Sequence, residues 1–308
     1  MIIKPRIEPE ELKIMRCLHR RMNLSVKDRN NYFNLEKGFE GERNFDEWLK
    51  NLSNDWIILN DLLFESNNTL FQIDTLLISP ETIYMFEVKN YEGDYYIDDD
   101  RWFTISGSEI KNPLLQLKRS ESLLRRLLND LGITTPIESN LVFVNPDFYL
   151  YQTPLNIPII FPPQILRFIK KLNLNSSKIR DNHLNFAEKI VSIHIKESPY
   201  TRRYDYSYEN LKKGITCATC YSIIDDINVD ILTCNKCGSK EDVTSAVLRS
   251  TEEFILLFLN EKITTKTIHE WCKVIKSKKT IRRILSKKYN KNGNCRYLYF
   301  VNAAISSD

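Results

Sequence analysis

The sequence predicts an α/β fold, a mixed sheet with flanking helices, followed by two smaller modules. Three observations lead there. Segments 55–64, 70–78 and 83–88 are short, rich in β-branched and aromatic residues, and separated by turn signals at Asn67-Asn68 and Ser79-Pro80. A long helical pattern opening at Asn112-Pro113 then leads to another apolar run at 140–145, and strand, helix, strand implies a right-handed crossover with parallel pairing. Beyond residue 214, two CxxC pairs and a basic three-helix pattern mark units of different chemistry.

A chain of 308 residues has room for two or three domains. Its 42% hydrophobic and 27% charged content is ordinary for globular proteins and argues against wholesale disorder. The apolar run at 254–259 is far shorter than the ~20 residues a membrane span requires, and the opening MIIKPRIEPEELK lacks a signal-like apolar segment. A soluble cytoplasmic protein without a membrane partner is expected. The net charge of +4 is unevenly spread: residues 243–308 hold 13 Lys and Arg against 5 Asp and Glu, so acidic residues outnumber basic ones before residue 243. The basic end points to a polyanion.

In chain order, Leu12, Met15 and Leu18 mark a helix over 9–21, and Phe39, Phe45, Trp48 and Leu52 a second over 35–52. Gly38 and Gly41 weaken the start of that second helix, which suggests a close backbone approach there, with Glu42 just beyond. Taken alone, Glu42 reads as a solvated first-turn carboxylate. The three strands form a meander. After Gly93 a hairpin, 95–97 and 101–105, extends the sheet around Asp98-Asp99-Asp100, a solvated turn because three consecutive carboxylates cannot share one strand face. Leu114, Leu117, Leu124, Leu127, Leu128 and Leu131 give the long helix its apolar face, and Gly132 ends it. Strands at 140–145 and 157–161 and helices at 163–172 and 177–195 complete a domain over 1–197, its core about 36–172. Residues 198–214 carry four Tyr among charges and read as a linker. Its rings suit base stacking, or equally packing against a neighbouring domain.

Cys217-Ala-Thr-Cys220 and Cys234-Asn-Lys-Cys237 supply four thiolates at a spacing suited to tetrahedral Zn²⁺. With four sulfur ligands the metal has no open position, so residues 215–242 are expected to form a structural zinc ribbon whose folding depends on it.

Residues 243–308 predict helices at 245–260, 265–275 and 277–289, with caps at Thr264 or Thr265 and at Ser277, then a strand at 295–301 after a KNGN turn. Three helices and a hairpin resemble a winged helix-turn-helix. That resemblance makes 277–288 the recognition helix, with Lys278, Lys279, Arg282, Arg283, Lys287 and Lys288 facing or flanking DNA phosphates and 290–294 the wing.

Glu87 and Lys89 are two apart on a strand and share a face, while Asp74 on the preceding strand can approach Glu87. Paired carboxylates repel unless a cation neutralises them, and oxygen ligands suit Mg²⁺ or Mn²⁺. The same residues could instead form a buried ion pair or an exposed polar edge. Glu42 after its glycine pair, Gln72-Ile-Asp74, Glu87-Val-Lys89 with Asn90-Tyr-Glu-Gly93 behind it, and Asn112-Pro113 with Gln116 together resemble the nuclease-related domain (NERD) family over roughly 36–172. That family is similar to the PD-(D/E)xK superfamily, with its restriction-endonuclease-like core. Ile73 stands where the superfamily pattern has Pro. The resemblance implies metal ligation by Asp74, Glu87 and the Val88 carbonyl, a catalytic Lys89, a supporting Glu42, and Gln116 nearby. It implies a Mg²⁺- or Mn²⁺-dependent DNA nuclease. A non-catalytic DNA-binding or regulatory adaptor on the same scaffold is the second expectation, and RNA cleavage or binding through the ribbon and linker the third.

Overall fold

Runs of β-branched and aromatic residues with apolar partners on both faces build the central sheet. The computed structural model describes residues 1–174, 177–196, 202, 204–224, 227–228, 231–294 and 297–302, with the backbone alone at 227, 228 and 302. The residues group into two units, Met1–Glu8 with Phe33–Thr201, and Pro9–Tyr32 with Arg202–Asp308.

β1 (Ile2–Lys4) precedes α1 (Glu10–Arg21) and α2 (Val26–Leu49) in the chain, and in the first unit β2 (Ile57–Ser66), β3 (Thr69–Ile78) and β4 (Ile83–Lys89) form the expected meander. Next come β5 (Gly93–Asp98), β6 (Arg101–Thr104), β7 (Glu109–Ile110), α3 (Pro113–Asp130), β8 (Ile137–Phe143), β9 (Phe148–Tyr151), β10 (Ile159–Ile160), α4 (Ile165–Leu174) and α5 (Asp181–Ser192). The main sheet runs β1-β2-β3-β4-β8-β10, and β4 pairs with β8 in parallel across α3, as the crossover argument predicts. It is a mixed sheet, since β1–β2 and β8–β10 are also parallel.

Two apolar clusters sandwich it. On one face Ile57, Leu59, Ile83, Met85, Leu141 and Phe143 meet Leu117, Leu124 and Leu128 of α3 and Ala187 and Ile190 of α5. On the other Ile58, Leu77, Phe86, Val88 and Val142 meet Phe45 and Leu49 of α2 and Ile165, Ile169 and Leu172 of α4. Helices on both faces explain why the central strands are apolar almost throughout.

The hairpin of 95–105 does not extend this sheet. Gly93, at φ 94, donates its N–H to Asp147 O and turns the chain out of line with β4. β5 then pairs in parallel with β9, unmarked in the sequence, giving a separate sheet of order β7-β6-β5-β9. The Asp98–Asp100 turn is exposed, with Asp99 and Asp100 at positive φ, as a solvated turn should be. Helix α2 starts at Val26, ahead of the expected 35, because Ser25 caps a polar stretch without an apolar stripe: its hydroxyl accepts from Asp28 N.

The second unit includes α1, placed by sequence in the N-terminal domain. Arg21 explains the difference: its buried guanidinium pairs with Glu253 at 2.6 Å, donates to Lys212 O and Gly214 O, and lies over Trp271. The linker tyrosines serve packing. Tyr204 bonds Glu11 and Asn31, Tyr206 donates to Leu257 O, and Tyr208 packs among Phe254, Phe258 and Trp271. These contacts favour the packing reading for those three; Tyr200 lies outside the described residues.

Short strands β11 (Ile215–Thr216), β12 (Ile223–Ile224), β13 (Ile227–Asn228), β14 (Ile231–Thr233) and β15 (Lys240–Asp242) flank the two turns that hold the cysteines. Helices α6 (Val243–Leu257), α7 (Thr265–Cys272) and α8 (Lys278–Lys288) follow, capped by Asp242, Thr264 and Ser277. Strands β16 (Tyr289–Asn292) and β17 (Tyr299–Asn302) pair in antiparallel, and Ile263, ahead of α7, bridges to Phe300. Of the strand expected at 295–301, residues 295 and 296 lie outside the described residues.

Candidate functional site

The site begins with an irregularity shared by two strands. On β2 the residues facing the α3 cluster are Ile57 and Leu59, then Leu62 and Phe64; on β3 they are Phe71 and Ile73, then Leu76 and Ile78. The alternation slips by one on both strands between the pairs Asn60–Thr75 and Leu62–Ile73, at the facing residues Asp61 and Asp74. Asp61 takes φ 54 to allow it. The β3–β4 ladder ends at Thr75–Phe86, and one residue on, the Asp74 carboxylate stands in for backbone: its Oδ2 accepts the Val88 N–H at 2.7 Å. A strand residue's N–H and C=O point to the same side, so the Val88 carbonyl also faces Asp74's side.

Glu87 and Lys89 share the face of Ile83 and Met85, beneath α3. Lys89 Nζ lies 2.7 Å from Glu87 Oε1 and 3.2 Å from Gln116 Oε1, and Gln116 Nε2 donates to the same Glu87 oxygen at 2.5 Å. Gln116 is delivered by the first turn of α3, whose start is fixed by Asn112 accepting from Leu114 N and by Pro113. Asp74 and Glu87 are buried, at 8% and 4% exposure.

Glu42 arrives from α2. A Cβ at Gly41 would lie 2.6 Å from Asn90 Cβ and 3.2 Å from Val144, so glycine there lets the helix lie against the end of β4. Gly38 has no neighbour of that kind, so only one of the two glycines marks a close approach. Glu42 is not a solvated first-turn carboxylate, since it sits well inside a helix that begins at Val26 and pairs with a residue the sequence reading missed. Arg6 Nη1 lies 2.5 Å from Glu42 Oε2; the same guanidinium holds Asp46 through Nε and Nη2 and donates to Asp74 O and Thr75 Oγ1. A lone Arg between prolines gives no periodic signal; only the Glu42–Asp46 spacing, one helical turn, hinted at a shared partner.

Six ionisable side chains thus gather, Arg6 and Lys89 against Glu42, Asp46, Asp74 and Glu87. Carboxyl groups outnumber the cations here, and Asp61 adds its charge to those felt by Glu42 and Asp74. Burial, then the charge of Asp74, pushes Glu42 up to about 8 and Glu87 up to about 7. Burial likewise raises Asp74, against the pull of the Val88 N–H and of Lys89. Burial works against the Lys89 ammonium, but Glu87 and Asp74 outweigh it and raise its pKa. The donor set is all oxygen, the chemistry Mg²⁺ or Mn²⁺ prefers.

Residues 37–144 match the family model of the nuclease-related domain, NERD. The chain carries a nuclease-related domain. The NERD match opens on α2 ahead of Glu42 and closes just after β8, so it contains Glu42, Asp74, Glu87, Lys89 and Gln116 while leaving out Arg6, the cysteines and α8. No curated protein and no solved structure matches the chain.

Outside the NERD match, the sulfurs of Cys217, Cys220, Cys234 and Cys237 lie within 4.8 Å of one another, and the cluster fits a zinc ribbon. Its two turns are duplicates. Tyr221 N donates to Cys217 O and Cys217 N to Ser222 O; Gly238 N donates to Cys234 O and Cys234 N to Ser239 O. The residue after each CxxC is left-handed, Gly238 at φ 74 and Tyr221 at φ 62, the latter without glycine's freedom. Ser239 Oγ lies 3.0 Å from Cys217 Sγ, and Ser222 Oγ lies 3.1 Å from Cys220 Sγ and 3.2 Å from Cys234 Sγ. Burial favours the neutral Cys217 thiol, yet the Ser239 hydroxyl and the N–H groups of Cys220 and Thr219 bring it down to about 5. The repeat CxxCxS, present in the sequence, would have identified both serines.

On α8, Lys278, Lys279, Arg282, Arg283 and Lys287 are exposed, while Ile281, Ile284 and Leu285 are buried. Lys288 is exposed as well and pairs with Glu252 at 2.8 Å. Among the described residues, no helix is long and apolar enough to cross a membrane.

Proposed function

We propose that the protein is a metal-dependent DNA nuclease, acting on foreign DNA or in DNA processing. The observation that carries the reading is the convergence of Asp74, Glu87, Lys89 and Gln116 within a nuclease-related domain. Asp74 and Glu87 would hold Mg²⁺ or Mn²⁺, with the Val88 carbonyl as a further ligand. When bound, the cation would polarise the scissile phosphate and lower the pKa of an attacking water. Lys89, kept as an ammonium by Glu87 and Asp74, orients that water, and Gln116, bonded to both Lys89 and Glu87, fixes their side chains. Glu42 supports the site from α2. Four cysteines hold structural Zn²⁺, and the exposed cations of α8 contact DNA phosphates in a winged-helix-like module, a reading favoured by the Ile263–Phe300 bridge ahead of α7. Thiol ligands suit a reducing compartment such as the cytoplasm.

The Lys89–Glu87 bond supports a second reading, a buried structural ion pair in a DNA-binding adaptor that cleaves nothing. Purified protein incubated with supercoiled, linear and single-stranded DNA, and with RNA, with and without Mg²⁺ or Mn²⁺, separates the two. Cation-dependent loss of DNA supports the nuclease; binding without cleavage of any substrate in either cation supports the adaptor.

A further inference from the structure

We propose that Arg6 is a positioning residue for the divalent-cation site, fixing Glu42 and the Asp74 end of β3 relative to each other; the proposal rests on the nuclease reading above. Arg6 is 3% exposed at its side chain, and its guanidinium spans two elements that share no ladder. On α2 it pairs with Glu42 and Asp46, which lie i and i+4 on one helical face and would repel each other without it. On β3 it donates at 2.9 Å to the carbonyl of Asp74, and at 3.1 Å to Thr75 Oγ1. Nε, Nη1 and Nη2 are all used.

The residue two before it completes the device. Lys4, buried, donates through Nζ to Asn60 O at 2.7 Å and Asp61 O at 2.6 Å. The slip leaves backbone carbonyls on β2 and β3 facing positions where regular pairing is interrupted. Lys4 satisfies those on β2 and Arg6 the one on β3. A buried carbonyl left without a donor would destabilise this geometry, so the N-terminal segment holds in place the irregularity that frees Asp74 to accept from Val88. Both residues lie ahead of the family match at 37–144.

Charge and position make opposite predictions for Arg6. A positive group beside a cation site weakens cation binding by repulsion, so removing it should tighten binding if charge were all it contributed. If Arg6 positions the ligands, removing it should weaken binding. Lys cannot replace it, because a single ammonium lacks the planar fork that reaches Asp46, Glu42 and Thr75 together.

Isothermal titration of zinc-loaded full-length protein with Mn²⁺ reads this directly, comparing wild type with Arg6→Ala, Arg6→Lys and Asp46→Asn, each checked for its thermal melt. The expected result is a roughly 10–100-fold weaker Mn²⁺ affinity in Arg6→Ala and Arg6→Lys, with a cooperative melt retained in Arg6→Lys and a smaller loss in Asp46→Asn. Should Arg6→Ala fail to fold, the charge-conserving Arg6→Lys and the milder Asp46→Asn carry the comparison. Wild-type affinity in a folded Arg6→Lys, or tighter binding in Arg6→Ala, overturns the positioning role alone. A wild-type chain that takes up no Mn²⁺ at this site overturns the metal-dependent reading and the role of Arg6 with it.

Discussion

The Asp74 carboxylate accepts the Val88 amide at 2.7 Å, one residue beyond the last backbone pair of β3 and β4. A side chain therefore closes the ladder, and in the proposed function the same buried carboxylate, already a structural acceptor, would also bind the cation. The two duties conflict, because burial raises the carboxyl's pKa while ligation needs the anion.

Asp74→Asn separates those duties. The amide oxygen can still accept from Val88, and the buried charge disappears. Cation-free protein should melt at a higher temperature at pH 8 than wild type, while cleavage falls by about 10²–10³-fold. Differential scanning calorimetry and a DNA cleavage assay check both. A lower melting temperature would mean that the charge itself holds the strands together.

The carboxylates also give a direction to pH dependence. Glu42 and Glu87 have folded pKa values of about 8 and about 7, above an ordinary value of 4.5. Their protonated forms are favoured by folding, so the stability they contribute is complete below 4.5 and is lost as pH rises through 7 and 8. In Mg²⁺-free buffer, urea midpoints should fall from pH 5 to pH 8. Glu42→Gln and Glu87→Gln should each flatten that slope, and added Mg²⁺ should raise the midpoint at pH 8 more than at pH 5. Equal slopes in wild type and both variants would remove these groups as the cause.

The sulfur cluster predicts one zinc per chain, measured by plasma mass spectrometry, and loss of the ribbon's fold when Cys234 becomes Ser. Ser239→Ala should keep the metal but hold it about tenfold less tightly in a chelator competition, since its hydroxyl lies against Cys217 Sγ at 3.0 Å and is not one of the four sulfur ligands. Unchanged affinity would make Ser239 a packing residue.

Charge reversal at Arg282 and Arg283 should weaken DNA binding and reduce the dependence of log affinity on log salt by about two. Lys288→Glu should do less, because that ammonium already faces Glu252. Fluorescence anisotropy across salt concentrations tests both, and equal slopes for all variants would take α8 out of the interface.

Much of this was legible in the sequence, for identifiable reasons. The meander and its parallel return after α3 were readable because strands buried on both faces are apolar throughout, and Asn112-Pro113 is an unambiguous helix start. The cysteines were readable because their spacing carries the chemistry. Arg6 was not, because its partners lie 36, 40 and 68 residues away and no periodicity ties them together. The register slip at Asp61 and Asp74 was equally hidden: both strands slip together, so the apolar pattern stays dense and the pairing stays in step. The second sheet was missed because β9, with Tyr149 and Tyr151 exposed, lacks the aliphatic density of the central strands. Helix α1 packs with the second unit, which the sequence does not show because its amphipathic pattern reports a buried face but not what covers it.

The central claim is that Asp74, Glu87 and Lys89 act together on a phosphodiester. Its most direct test is the initial rate of DNA cleavage in Mg²⁺ or Mn²⁺ by zinc-loaded wild type, Asp74→Ala and Lys89→Ala proteins of matched fold. Cation-dependent cleavage by wild type and a loss of at least about a hundredfold in each variant are expected. Cleavage that survives both substitutions undiminished would contradict it.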